Sequence, residues 1–324
     1  MNALKVKSKM TNEKDNKQEV AVKLFKITDI PDVMEKMGWD VSASFMRKWF
    51  NDPYYEMSKD EKLNKVDMLK VDKQHVIKDL DFDWLFTASK RVKPVINEFL
   101  SGVSYVREYN SFLGRKKTIL EQLSNGLITI IERLDHMGIV DKGSKKLNPC
   151  AFSFSSLSAM ELDVKSQFNY ISIGSTLWEK VTDDLDDVYG ALGSFIIKIA
   201  FLDIVVTEGE GGARLKINEL GLYIRDTYEF MNDGDDQPLG YWGWEGVIKP
   251  GVISELFEKQ KITQDSKDYY RVTNNSFVKY RNKNNKGGDF SVYSVVKKIP
   301  VDIVIHLSSI DIEEYMERKG LCIK

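Results

Sequence analysis

Two hydrophobic periods divide this chain, a helical one in its first half and a strand-like one in its second. From residue 23 to about 145 apolar positions recur at helical spacing. Pro31 is placed to open a helix in DIPDVMEKMGW, where its fixed φ suits the first turn, and Gly38 to end it. Asp40 is expected to cap a second helix carrying Val41, Phe45 and Trp49 on one stripe, widened by Met46 and Phe50. Leu120, Leu123, Leu127, Ile130 or Ile131, and Leu134 predict a further helix that stops at Gly138. His136 falls at its C-terminal end, where a structural role is favoured.

After the basic loop DKGSKKLNP the period shortens. AFSFSS, FNYISIG, SFIIKIAFLDIVV, ARLKIN, GLYIRDTYEF and KKIPVDIVIHL read as strands, by alternation or β-branched content. TEGEGG and NDGDDQPLG are turn material. Short helices are expected in PGVISELFEKQ, in NNSFVKYRNKN capped by Asn274 or Asn275, and in IDIEEYMERKG up to Gly320. Runs of helix followed by runs of strand predict an α+β fold. The expected organisation is a disordered tail (1–22), a helical region (23–145) and an α+β region (146–324) with a mainly antiparallel sheet and short helices.

Composition narrows the function. Lys plus Arg is 47 against 49 for Asp plus Glu, so there is no basic surplus for a nucleic-acid backbone. Two cysteines, Cys150 and Cys322, cannot build a disulfide framework, and reduced thiols are expected. Three histidines, His75, His136 and His306, lack metal-ligand spacing. The polar start has no secretory pattern, and Leu192 to Val206, interrupted by Lys198 and Asp203, reads as a buried strand rather than a membrane span. Gly209, Gly211 and Gly212 fail the spacing of a phosphate loop and read as a hairpin turn. Asp233, Asp235 and Asp236 lack the spacing of a calcium loop. Asp183, Asp184, Asp186 and Asp187 either cap a helix or chelate a cation, and capping is preferred.

Three stretches hold candidate chemistry. In GLYIRDTYEF, Asp226 shares a strand face with Leu222, Ile224, Tyr228 and Phe230, while Arg225, Thr227 and Glu229 share the other. A carboxylate among apolar neighbours is either a general base or metal ligand, or the structural partner of an N–H or an arginine. In SFVKYRNKNNKGGDFSVY, Tyr280 and Arg281 precede Gly287, Gly288 and Asp289. This stretch is either an anion-binding loop with exposed N–H groups or a tight helix-to-strand turn. In LGYWGWEG, Tyr241, Trp242 and Trp244 form either a core corner or a stacking wall.

DIPDVMEKMGW with SFMRKWF, then SAMELD, DLDDVYGALG, YIRDTYEF, QPLGYWGW and NKGGDFSVYS resemble an uncharacterised family of Gram-negative bacterial proteins, from residue 24 to 307. Its members are often encoded among type VI secretion components, beside spike proteins and toxin genes. The resemblance implies a contact-delivered antibacterial effector or its accessory protein, cytoplasmic in the producer and exported without a signal peptide. Its implied partners are the type VI secretion spike or adaptor and a cognate immunity protein. In one motif, Asp226, Tyr228 and Glu229 are similar to the Asp-x-Tyr-Asp/Glu pattern of colicin M-like toxins, which hydrolyse a lipid-linked envelope precursor with a metal and a downstream His-Arg pair. This chain has no such pair after Glu229. Arg281 stands for the arginine and nothing stands for the histidine.

The leading expectation is an effector whose activity, where it has one, is hydrolysis at a phosphoryl or other anionic centre. Asp226, Tyr228, Glu229, Arg281 and Asp289 would carry catalysis. Arg225, Tyr280, Gly287, Gly288, Trp242 and Trp244 would hold substrate. A divalent metal is compatible with this reading, and no metal ligands are assigned. The reading needs Asp226 and Arg281 to meet at an open hollow. The alternative is a non-enzymatic adaptor, chaperone or immunity protein whose contact surface is Met34, Met37, Trp39, Phe45, Met46, Trp49 and Phe50. A pore-former is disfavoured by the lack of a long apolar hairpin.

Overall fold

Pro31 sits in the first turn of helix α1 (Ile30–Lys36), and Gly38 follows it at φ +75°. The computed structural model describes residues 24–105, 108–110, 119–174, 184–209, 211–231, 236–249 and 259–320. The expected tail, most of PGVISELFEKQ, and Asp183, Asp233, Asp235 and Cys322 lie outside the described residues.

Helix α2 (Asp40–Asn51) buries Phe45, Met46, Trp49 and Phe50, the stripe its spacing predicts. Burying each such side chain contributes about 1.5–3 kcal/mol. Asp40 is its first helical residue rather than its cap. The buried Asp187 carboxylate, distant in sequence, receives the Val41 N–H at 3.1 Å and the Ser42 N–H at 2.8 Å. An anion at a helix N-terminus meets both the free N–H groups and the helix dipole. Next come α3 (Lys59–Lys62), β1 (Val76–Leu80), α4 (Trp84–Ala88), α5 (Val92–Tyr105), β2 (Glu108–Asn110) and α6 (Ile119–His136). Gly138 follows α6 at φ +75°.

The second half holds β3 (Val140–Asp141), β4 (Lys146–Leu147), β5 (Cys150–Ser153), α7 (Ala159–Lys165), β6 (Gln167–Ile173), α8 (Asp187–Leu192), β7 (Phe195–Gly209) and β8 (Gly212–Tyr228). Then come β9 (Pro238–Gly243), β10 (Gly246–Ile248), β11 (Lys261–Gln264), β12 (Lys267–Thr273), α9 (Asn274–Asn284), β13 (Phe290–Ser294), β14 (Lys297–Ser308) and α10 (Ser309–Arg318). ARLKIN and GLYIRDTYEF are one strand, β8, and TEGEGG is the turn that joins it to β7. The α8 cap is Asp186, whose carboxylate accepts the Tyr189 N–H at 2.8 Å. The α9 cap is Thr273, which forms a capping box with Ser276, so neither Asn274 nor Asn275 does this work.

The fold is α+β. Among the described residues its main sheet has eight strands and is mainly antiparallel. β8 pairs with β7 along one edge, and with β14 and then β13 along the other. β5 and β6 extend the sheet beyond β7. β1 pairs with β13 and β2 with β14, both in parallel, so the region read as helical also gives the sheet two strands. A smaller sheet runs β10-β9-β12-β11.

One cluster of buried side chains runs from Ile30 to Met316, and the early helices and the sheet share it. On the other sheet face α7 packs Leu162 with Ala200, Leu202, Tyr223 and Tyr293. There buried Asp163 accepts the Tyr223 hydroxyl at 3.0 Å and pairs with Lys198 at 3.4 Å.

Candidate functional site

The end of β8 separates the candidate residues by the pleat alone. Leu222, Ile224 and Tyr228 point into the larger core, as alternation requires. Asp226 lies between them and is half-buried. Burial pushes its carboxyl up to about 8, against the Thr227 N–H and Arg225, which pull it down; Glu229 adds to the rise. Arg225 faces the opposite side. Its guanidinium donates to the Lys62 carbonyl at 3.1 Å and the Glu61 carbonyl at 3.0 Å, closing the C-terminal end of α3. It is engaged by the backbone rather than presented to a ligand. Glu229 pairs with Lys62 at 2.7 Å.

The second stretch folds inward. Arg281 is 1% exposed and pairs with the fully buried Asp289. Its guanidinium lies 5.2 Å from the Trp49 ring centroid. Asp289 also accepts the Trp49 indole N–H at 2.9 Å and the Met57 N–H at 3.0 Å. Burial pushes the Asp289 carboxyl up to about 6, while Arg281 opposes the rise. The Gly287 N–H donates to Asp52 O at 3.0 Å and the Gly288 N–H to Trp49 O at 3.1 Å, so both close the end of α2. Gly287 has φ +108°, and a Cβ there would lie 2.6 Å from the Trp49 ring. Tyr280 packs edge-on against Phe50 at 4.8 Å.

The expected meeting of Asp226 and Arg281 at an open hollow is therefore not found. Arg281 is walled off beside Asp289, and the two glycine N–H groups have backbone acceptors. A guanidinium this buried needs a charged partner, and Asp289 supplies it. The helical stripe offered as a contact surface is also interior: Met34, Trp39, Phe45, Met46, Trp49 and Phe50 are all buried.

An open site does exist at the end of β8. A pocket of about 410 Å³ is lined by Thr227, Tyr228, Glu229 and Phe230, facing α1, α2, α8, β9 and α9. Met34, Trp39, Met46, Val272 and Phe277 supply apolar wall. The Tyr228 hydroxyl lies 3.5 Å from the Met46 sulfur, a weak acceptor, and burial raises its pKa, so it remains a proton donor. Trp242 lines the pocket and meets Trp39 edge-on at 6.3 Å. Trp244 does not line it; that ring packs against Phe25 at 5.5 Å, beneath Lys36. The pocket thus gathers Tyr228, Glu229 and Trp242 from the sequence candidates and leaves out Arg225, Asp226, Tyr280, Arg281, Gly287, Gly288 and Asp289. Lys62, Tyr189 and Lys249 line it without any local sequence signal, since three separate segments bring them together.

Among the described residues no group of three or more His, Cys, Asp or Glu side chains is placed to hold a metal. No helix among them is long and apolar enough to cross a membrane.

A model of a family of unknown function, DUF6402, matches residues 25–308. The chain belongs to the DUF6402 family. No curated protein and no solved structure matches it. Membership of DUF6402 assigns no activity, and the match itself carries no link to type VI secretion or to colicin M-like toxins.

Proposed function

We propose that this chain serves competition between bacteria as a type VI secretion-associated antibacterial effector, and that it works by gripping a ligand or partner group in the pocket at the end of β8. The supporting observation is a methionine- and aromatic-lined hollow that carries the Tyr228 hydroxyl and the Lys62–Glu229 pair. Apolar walls with a few convergent polar groups are the usual form of a binding site of this size. They suit an apolar body bearing a hydrogen-bond acceptor. The effector half of the reading rests on the motif resemblance in the sequence.

The test is expression in a bacterial host, directed separately to cytoplasm and periplasm, with growth as the readout. Toxicity in one compartment that is lost in Lys62→Ala supports the reading. Undiminished toxicity of a folded Lys62→Ala protein removes the pocket from it. Absence of toxicity in both compartments removes the effector and leaves an adaptor, chaperone or immunity protein.

A second reading, hydrolysis of a phosphoryl or other anionic envelope substrate, is favoured by one feature. Burial raises the Asp226 carboxyl to about 8, and the nearby Glu229 adds to the rise, so Asp226 is largely protonated at neutral pH. A carboxyl group that keeps its proton at neutral pH can serve as a general acid. Loss of toxicity in an Asp226→Asn protein that melts no lower than wild type at neutral pH supports this reading, and unchanged toxicity ends it.

A further inference from the structure

β8 outruns its neighbour. Ile196 of β7 faces Arg225, and β7 begins one residue earlier, at Phe195. β8 continues in register with β13 as far as Tyr228, which faces Phe290. Past Arg225, the edge of β8 on the β7 side has no strand partner among the described residues. Such an edge presents main-chain groups as a template for another strand, and here the Thr227 N–H is shared with the Asp226 carboxyl. Here the edge is part of the pocket wall, through Thr227, Tyr228 and Glu229.

The other walls suit a side chain from such a strand. Gly193, at the end of α8, lines the pocket, and its carbonyl is fixed by Arg91 at 2.8 Å. Met34, Met46 and Met231 line the interior, and unbranched thioethers adapt to guests of irregular shape. The charged lining residues are Lys62, Lys249 and Glu229, two positive and one negative.

We infer that the occupant of the pocket is an extended peptide segment of a partner protein, added as a short strand to the edge of β8 that no described strand covers past Arg225. One large apolar side chain of the peptide sits among Met34, Trp39 and Met46. This rests on the pocket reading above and deepens it by naming the occupant. Main-chain pairing supplies affinity and the side-chain pocket supplies selectivity. A small amphipathic molecule would use the apolar walls and leave the strand edge unpaired.

The test selects a displayed library of random linear peptides on the full chain and titrates the best peptide by fluorescence anisotropy. Enriched peptides are expected to carry a large apolar residue at a fixed position. N-methylation of alternate amides in the pairing stretch is expected to weaken binding at least about tenfold, because each removes a main-chain hydrogen bond. Methylating the intervening amides is expected to have little effect. Leu239→Trp, which fills the pocket, is expected to abolish binding at a matched melting temperature. Absence of enrichment, or binding that survives every N-methyl group or survives Leu239→Trp, overturns the inference. Dodecanoate is titrated in parallel. Dodecanoate binding that is lost in Leu239→Trp, with no peptide binding, overturns the peptide and keeps the pocket. Failure of both probes overturns the two together.

Discussion

Lys62 Nζ stands 2.7 Å from Glu229 Oε1, while the backbone carbonyl of the same Lys62 is held by Arg225 at 3.1 Å. Arg225 of β8 and Glu229 just beyond its end therefore hold the end of α3 together, one through the main chain of α3 and one through a side chain. The two grips differ in worth. Lys62 is partly exposed, so Lys62→Ala is expected to cost at most about 1 kcal/mol in urea denaturation. Arg225→Ala leaves two carbonyls without their charged donor and is expected to cost about 2–3 kcal/mol. A larger loss for Lys62→Ala than for Arg225→Ala would contradict this division.

Arg281 and Asp289 form a buried pair fixed on one side by Trp49. Removing one partner strands the other charge in the core. Asp289→Ala is expected to destabilise by about 3–5 kcal/mol. The double variant Arg281→Met, Asp289→Leu is expected to lose less than Asp289→Ala alone. Urea denaturation of wild type and the two variants decides it, and a larger loss in the double variant than in Asp289→Ala would show that the stranded charge is not what costs.

Asp226 titrates in the folded protein near 8, against an ordinary value of 3.8. The folded state therefore holds this proton more tightly than the unfolded one. The stability it contributes is complete below about pH 4 and is lost as pH rises toward about 8. Asp289, pushed up to about 6, acts in the same direction over a lower range. Asp226→Asn removes the Asp226 component alone. Its melting temperature is expected to gain on the wild type as pH rises from about 5 to about 8.5. A constant difference across that range would mean that the Asp226 carboxyl titrates normally.

Gly287 and Gly138 both have positive φ, at +108° and +75°, but only Gly287 is packed against a ring. Alanine at Gly138 meets open space and is expected to cost about 1 kcal/mol, the backbone strain alone. Alanine at Gly287 must also displace Trp49 and is expected to cost about 3 kcal/mol or more. Equal losses in thermal melting would show that Trp49 yields freely.

These contrasts also mark what the chain's pattern reveals. The long, strongly periodic elements were legible: the Phe45–Trp49 stripe, α6 with its stop at Gly138, and the β7–β8 hairpin through TEGEGG. β1 and β2 were not. Five and three residues show no period, and their partners β13 and β14 lie far along the chain. The apolar company of Asp226 could be read from alternation. The fate of Arg281 could not, because the glycine pair serves an anion loop and a tight turn equally well. Only the position of Trp49 decides between them. Lys62 reaches the pocket through an ion pair that no local motif announces. Thr273 displaced Asn274 as a cap because β12 runs straight into α9 and leaves the hydroxyl facing Ser276.

The most direct test of the pocket's role is the growth of bacteria expressing Leu239→Trp beside wild type, in the compartment where the wild type is toxic, with melting temperatures matched. If the pocket is where the protein grips its target, the filled variant lets the cells grow. If the filled and folded variant kills as well as wild type, the working surface lies elsewhere on the molecule.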